Sequence, residues 1–142
     1  MRLYILFFLK IFLFSSISLS SEKRIILGLD WFINPDHAPI IIADKYGYFN
    51  DEDLKVEIIE PADPNDPPKQ VAAGKIDIAI SLTKKNDWDL AAADLLIREA
   101  KGKIRETNGE KIIYNTQNLN INSVMAANVN IILDLKRKFN YS

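Results

Sequence analysis

The apolar positions of the chain change period several times, and each change marks a predicted secondary-structure element. Residues 24–32 form an apolar run of strand-forming residues before a turn-prone Asn-Pro-Asp, which predicts a buried strand. Further strands are predicted over 54–60, where apolar and polar residues alternate, and over 76–81. Helical spacing after Asp36 and over 69–73 separates these strands. The order predicts an α/β fold that opens with parallel β-α-β-α-β and right-handed crossovers.

The second half of the chain predicts a helix, a β-hairpin and a C-terminal helix. Asn86 or Asp87 can cap the first helix, and Gly102 stands where its C-cap is expected. Its apolar stripe is predicted to consist of Trp88, Ala91, Ala92, Leu95, Leu96 and Glu99. "GKIRE" and "EKIIYNT" flank Asn108-Gly109, a strong hairpin dipeptide. "VMAANVNIILDLKRKF" becomes amphipathic toward its end, and its basic run suits a helix C-terminus.

The N-terminus has the pattern of an export signal. In "MRLYILFFLKIFLFSSISLS" a basic start precedes an apolar run broken only by Lys10, and small residues follow at a cleavage-like site. We therefore expect residues 1–21 to be a signal peptide and the protein to be periplasmic or secreted; an uncleaved N-terminal anchor is the alternative. The chain has no cysteine, which excludes disulfides, thiol nucleophiles and thiolate metal sites.

Charge adds a candidate boundary. The net charge of −1 gives no reason to expect a nucleic-acid partner, and no membrane contact is expected beyond the export signal. Residues 1–81 carry 8 Lys/Arg and 12 Asp/Glu, whereas residues 82–142 carry 10 and 7. We interpret the shift as a boundary between segments 22–81 and 82–142, although ordinary drift in a short chain explains the charge equally well.

The segment "LDWFINPDHAP" carries the first candidate site. Asp30 and Trp31 end a predicted strand, and Asn34 and His37 begin the next helix, at the edge of the sheet where α/β proteins bind ligands. An aromatic ring can stack on a planar ligand, and a carboxylate can accept a hydrogen bond from its amino group. The residues also fit a purely structural role, with Trp31 in the core, Asp30 in a turn and His37 exposed beside an N-cap.

A family resemblance bears on this choice. The stretch from "LGLDWF" through "YGYF", "EPADPNDPPK" and "VAAGKIDIAIS" resembles periplasmic solute-binding proteins that deliver thiamine pyrimidine precursors to ABC importers, a superfamily that includes thiamine pyrimidine synthases. The resemblance implies that segment 22–81 is part of a solute-binding lobe and that Asp30 and Trp31 face an aminopyrimidine, with Asn34 and His37 nearby. An ABC permease is the implied partner. The cofactor lysine and iron-binding region of the synthases are not identifiable, so no cofactor is expected.

The segment "WDLAAADLLIREAKGKI" carries a second candidate. Asp89 lies in a first helical turn, where a carboxylate complements the helix dipole and can also bind a divalent cation. The segment resembles the C-terminal signature of the inositol monophosphatase family, which implies a metal-ligand role for Asp89. Lys101 departs from the small residue or glycine usual there, and Asp63-Pro64-Asn65-Asp66 only partly matches that family's upstream motif. Mg²⁺ is expected only if this half were functional, and with an incomplete site we expect no catalysis.

The two resemblances together describe a chimera that changes family near residues 81–85. Its N-terminal half would encode a thiamine-pyrimidine binder that is truncated and therefore weak or inactive, because one lobe cannot enclose a ligand. The alternatives are a magnesium-dependent sugar or nucleotide phosphatase fragment, or a non-functional fusion from a gene deletion or sequence assembly.

Overall fold

A computed structural model describes residues 22–117 and 120–139. The predicted signal segment lies outside these residues. Within the described part, no helix combines the length and apolarity that a membrane crossing requires.

The order of strands and helices follows the predicted α/β pattern. The strands are β1 (Lys23–Leu29), β2 (Leu54–Ile59), β3 (Ile78–Ser81), β4 (Lys85–Asn86), β5 (Lys103–Glu106), β6 (Asn120–Ile121) and β7 (Val124–Ala127). The α-helices are α1 (Ala38–Lys45), α2 (Asp66–Ala72), α3 (Asp87–Glu99) and α4 (Val129–Phe139), and 3-10 turns cover Pro35–His37 and Asn50–Glu52. The predicted fold class is confirmed.

A mixed sheet forms the centre of the described structure. Its strand order is β2-β1-β3-β7-β5, with β1 parallel to both β2 and β3. β7 is antiparallel to both of its neighbours, β3 and β5. β4 and β6 form a separate antiparallel pair. Because β7 lies between β3 and β5, the segments before and after residue 82 share one sheet. The predicted segment boundaries themselves stay a prediction.

Side chains alternate across this sheet and form a core on each face. One core includes Ala79 and Ala126 of the central strands together with Leu90 and Ile97 of α3. The other includes Ile78 and Met125, and its members are Leu27, Leu29, Ile40, Ile78, Met125, Ala127, Ile131 and Ile132. Gly28 lies on the first face, where a Cβ would come within 2.5 Å of Ile76 Cδ1, so the missing side chain lets Ile76 cross the strand.

Helix α3 buries a different face from the predicted one. Its buried residues are Asp87, Leu90, Asp94 and Ile97, whereas Trp88, Leu95 and Leu96 are exposed. The prediction failed because two of the four buried positions hold aspartates, which periodicity assigns to solvent. Both aspartates accept hydrogen bonds from the segment after β5, namely from Asn115 N and Tyr114 Oη.

The antiparallel pair after α3 forms with a different second strand. The chain turns at Asn108-Gly109, with Glu106 N donating to Glu110 O, but 111–114 adds no strand. β5 pairs instead with β7, whose residues were predicted to begin the C-terminal helix. All four β7 residues are buried, and its small Ala126 and Ala127 fit between two neighbouring strands under helices.

The end of α3 places a lysine where glycine is usual. Lys101 has φ +67°, in the left-handed region, and donates its backbone N–H to Arg98 O. Gly102 N then donates to Ile97 O at 2.9 Å, which completes a Schellman motif. Gly102 is required for close approach, because a Cβ there would lie 2.8 Å from Ala127 O and from Ile97 Cγ2. The C-cap is Ala100, so the predicted cap at Gly102 is two residues too late.

Candidate functional site

Asp30 is the centre of a polar cluster at the carboxyl ends of two parallel strands. Its Oδ1 lies 3.0 Å from His37 Nε2. Its Oδ2 accepts from Ser81 Oγ at 2.6 Å and from Lys85 Nζ at 3.0 Å. The parallel register pairs Leu29 with Ile80, so the residues that follow β1 and end β3 become neighbours.

Asn34 and His37 build the turn behind Asp30. Asn34 Oδ1 accepts from Asp36 N, and Asn34 Nδ2 donates to Phe32 O. His37 Nδ1 accepts from Asn34 N at 3.4 Å, so the ring proton lies on Nε2 and is donated to Asp30. His37 is only 1% exposed, which excludes the exposed position considered above. His37 holds Asp30 in place, Asn34 supports the His37 ring, and neither residue lines the cleft in front of Asp30.

The surroundings of Asp30 favour its ionised form. Burial opposes ionisation of the carboxyl group, but the hydrogen bonds from Ser81, His37 and Lys85, with the charge of Lys85, outweigh it and lower the pKa of Asp30. A carboxylate offers about four acceptor positions, and three donors are present. Asp30 is therefore an anionic acceptor with capacity for about one further donor.

A cleft of about 620 Å³ lies in front of Asp30. The central strands form its floor, and residues of α2, α3 and the loops before them form its walls. Its lining includes both Asp30 and Trp31 of the first motif and Trp88 and Asp89 of the second. Trp31 is 52% exposed and Trp88 67% exposed, which excludes a core position for Trp31. The structure thus brings the two predicted constellations to one cleft.

Three residues of this cleft were missed in the sequence: Ser81, Lys85 and Trp88. Ser81 could have been found from the order of the strands, because the ends of adjacent parallel strands meet. Lys85 carries no such signal, since its position depends on the irregular segment 82–84. Trp88 was assigned to the buried face of α3, and the structure exposes it instead.

Asp89 caps the helix that carries it. Its Oδ2 accepts from Asn86 N at 2.8 Å and from Asn86 Nδ2 at 3.3 Å, while Asn86 completes a capping box. Within residues 22–117 and 120–139, no three His, Cys, Asp or Glu side chains are grouped so as to hold a metal ion. The donor set around Asp89 therefore does not fit a metal centre, and its predicted ligand role stays a prediction.

A second polar cluster ties α3 to the segment after β5. Asp94 accepts from Tyr114 Oη at 3.0 Å through one oxygen and pairs with Arg98 Nε at 3.2 Å through the other. Burial, with the adjacent Asp94 carboxylate, raises the pKa of Tyr114. Asp87 Oδ2 accepts from Asn115 N at 2.6 Å, and Asn115 has φ +60°. This cluster, which lies apart from Asp30, satisfies both oxygens of Asp94 but only Oδ2 of Asp87, whose Oδ1 is buried without a hydrogen-bond partner among the described atoms.

The model of the family described as NMT1/THI5 like matches residues 34–125, more than half of the chain. The chain belongs to the NMT1/THI5-like family. The matched range of this NMT1/THI5-like chain contains Asn34, His37 and Asp89, whereas Asp30 and Trp31 precede it.

Similar curated proteins cover a shorter segment. The chain is 54% identical over 61 residues to a Haemophilus influenzae protein named for thiamine biosynthesis. It is 41% identical over 61 residues to the 4-amino-5-hydroxymethyl-2-methylpyrimidine phosphate synthase of Legionella pneumophila. Each match spans 43% of this chain and 19% of the relative, so the chain covers about a fifth of these proteins' length.

A solved structure shares the fold. CysQ from Bacteroides thetaiotaomicron is a bacterial member of the inositol monophosphatase family. The alignment covers 75% of this chain and 37% of the CysQ chain, with a TM-score of 0.57 and 20% identity. At this identity the likeness concerns the fold alone. Both resemblances drawn from the sequence are supported, the first by family membership and the second at the level of the fold. The family match crosses residue 82, because it runs from 34 to 125. The match to CysQ includes residues on both sides of it as well, because 75% of the chain is more than either 1–81 or 82–142 contains.

Proposed function

We propose that this NMT1/THI5-like chain binds a 4-aminopyrimidine precursor of thiamine in the cleft beside Asp30, as a solute-binding component. The observation that carries the proposal is the Asp30 carboxylate, held by donors from Ser81, His37 and Lys85, next to the half-exposed Trp31 ring. Its remaining acceptor position suits an exocyclic amino group, and Trp31 offers a face on which a pyrimidine can stack. The names of the similar proteins, which refer to thiamine biosynthesis and to a 4-aminopyrimidine, support this choice of ligand.

The cleft suits a small ligand but holds it weakly. Its volume of about 620 Å³ lies within the usual range for small-molecule sites, about 300–1,000 Å³. Both tryptophans on its rim are more than half exposed, so a ring bound there stays largely in contact with water. We expect a dissociation constant above about 1 mM, which corresponds to less than about 4 kcal/mol of binding free energy.

Export and delivery belong to the same proposal. A binder with the N-terminal pattern described above would act in the periplasm or outside the cell and pass its ligand to an ABC permease. Binding needs no cofactor, because Asp30, Trp31 and the apolar walls supply all the contacts that the proposal uses.

NMR titration with 4-amino-5-hydroxymethyl-2-methylpyrimidine tests the proposal. We expect the Trp31 indole resonance to shift progressively as the pyrimidine concentration rises into the millimolar range. The shift should disappear in Asp30→Asn. Trp31→Ala should abolish the shifts of neighbouring cleft residues, whereas Tyr46→Ala removes an exposed aromatic ring that does not line the cleft and should change nothing. The same pyrimidine without its 4-amino group should bind less tightly. A Trp31 resonance that never moves contradicts the proposal.

A magnesium-dependent phosphatase is the second candidate, because Asp89 lines the same cleft. It predicts Mg²⁺-dependent release of phosphate from a sugar or nucleotide phosphate, abolished by Asp89→Asn. The described donor set does not support it, since metal-assisted hydrolysis needs several carboxylates around the ion. Absence of release from all such substrates eliminates this candidate and leaves the pyrimidine proposal untouched.

A further inference from the structure

We propose that the open edge of the sheet at β5 binds a phosphate group, at a site separate from the Asp30 cleft. A groove of about 280 Å³ runs along this edge. Four of the described residues that line it are cationic, and they come from α3, from β5 and from the segment that follows β5: Arg98, Lys103, Arg105 and Lys111. Among the described residues that line the groove, Asp94 is the single carboxylate.

The cations of the groove are in large part uncompensated. Asp94 already uses one oxygen for Arg98 and the other for Tyr114. Lys103, Arg105 and Lys111 form no ion pair with another residue of the described chain. Arg105 Nε is moreover buried without a hydrogen-bond partner among the described atoms. A buried donor without an acceptor costs stability, which an anion in the groove would restore.

The backbone adds a donor at the same edge. Thr107 N donates to Ser123 O, so these residues form a hydrogen-bonded pair in line with the β5–β7 register. Along an antiparallel strand, successive backbone N–H groups point alternately to one side and to the other. Since the N–H of Thr107 points toward β7, the N–H of Ile104 points away from β7 and toward the open edge. Glu106 follows the same alternation, since its N–H leaves the sheet to bond Glu110 O. Ile104 also lines the groove.

The chemistry of these donors selects a compact, multiply charged oxyanion. Guanidinium groups bind phosphate oxygens through parallel hydrogen bonds, and lysine adds a point charge. A groove of 280 Å³ is small for an extended polymer but sufficient for one phosphate group. Inorganic phosphate and a phosphate monoester share this group, and either can supply it.

The experiment measures phosphate binding to the full chain by calorimetry and by ³¹P NMR, at constant ionic strength set with chloride. Inorganic phosphate and glycerol phosphate are titrated separately, which distinguishes the two sources. Arg105→Gln and Lys111→Gln should each weaken binding about tenfold, because each removes a charge-assisted hydrogen bond. Lys111 is exposed, so its variant keeps the test valid if loss of the partly buried Arg105 side chain prevents folding.

Lys55→Gln is the matched control. Lys55 is an exposed lysine on β2, the strand at the opposite edge of the same sheet, and its replacement removes the same charge. Its affinity for phosphate should stay within about twofold of the parent chain. Phosphate binding that is no tighter than chloride binding, or an equal loss in Lys55→Gln, overturns the proposal. So does increased self-association of Lys103→Gln without loss of phosphate affinity, since the cations would then only protect the strand edge.

Discussion

Replacing Asp30 with asparagine tests whether the polar cluster stabilises the fold as well as the candidate site. The carboxylate accepts from Ser81, His37 and Lys85, and its side chain is 20% exposed. Asparagine keeps one acceptor oxygen but turns an amide donor toward these donors. Hydrogen bonds to a charged group contribute about 1.5–3 kcal/mol each, and partial exposure reduces their sum. We expect Asp30→Asn to lower the free energy of unfolding by about 2–4 kcal/mol at pH 7.

The same reasoning gives the sign of the pH dependence. The pKa of Asp30 is lowered in the folded state, so its stabilising contribution is complete above the unfolded pKa, about 3.9, and disappears as pH falls through the folded value. Asparagine does not titrate at this position. The difference in stability between the parent chain and the variant should therefore shrink as the pH falls from about 5 toward and below the lowered pKa of Asp30.

Urea unfolding followed by tryptophan fluorescence measures this difference, because Trp31 and Trp88 both lie at the cleft. Asp36→Asn is the control, since it removes the same charge from an exposed side chain six residues away. It should change stability by no more than about 0.5 kcal/mol. A difference below about 0.5 kcal/mol for Asp30→Asn at pH 7 refutes the reasoning. A difference that is unchanged when Asp30 is protonated refutes it equally.

Two further predictions concern the end of α3 and the buried tyrosine. Lys101→Gly should raise the free energy of unfolding by about 0.5–1 kcal/mol, because glycine adopts the left-handed conformation without strain; Gly102→Ala should lower it by about 1–3 kcal/mol through the clash with Ala127 O. If urea unfolding showed that both substitutions change the free energy of unfolding in the same direction, the assignment of the two positions would be contradicted. In an alkaline titration followed by absorbance, Tyr114 should ionise after the exposed tyrosines, because burial and Asp94 raise its pKa, and Tyr114→Phe should remove this late step. Stability should correspondingly fall once the pH exceeds the tyrosine pKa of the unfolded chain, about 10.

The sequence predicted the first part of the fold well because local and tertiary preferences agree there. The inner strands β1 and β3 contain apolar runs that pair in parallel and become buried, whereas the edge strand β2 alternates apolar residues with exposed charged ones. The prediction of α3 failed for the opposite reason. Asp87 and Asp94 occupy its buried face because Asn115 and Tyr114 donate hydrogen bonds to them. A local sequence pattern does not predict partners that lie 28 and 20 positions further along the chain.

The candidate site was predicted in the same uneven way. Asp30 and Trp31 follow from their place at the end of a strand, which is a local property of the sequence. The function of His37 as a support for Asp30 depends on the 3-10 turn that folds it back. Lys85 reaches Asp30 across 55 positions, and only the completed sheet brings them together. The second strand of the antiparallel pair was missed because β7 is short and alanine-rich, which local preference assigns to a helix.

The position of β7 has a consequence for synthesis on the ribosome. β3 is complete at Ser81, but its neighbour begins only at Val124, so residues 82–123 must be translated first. At about 5–20 residues per second this takes roughly 2–8 s. During that interval the nascent chain presents Ile78 and Ile80 on an unpaired strand edge, in the form that chaperones recognise and that aggregates in their absence. A precursor that is kept unfolded by chaperones until it is exported should therefore give a higher yield than one that begins to fold during synthesis.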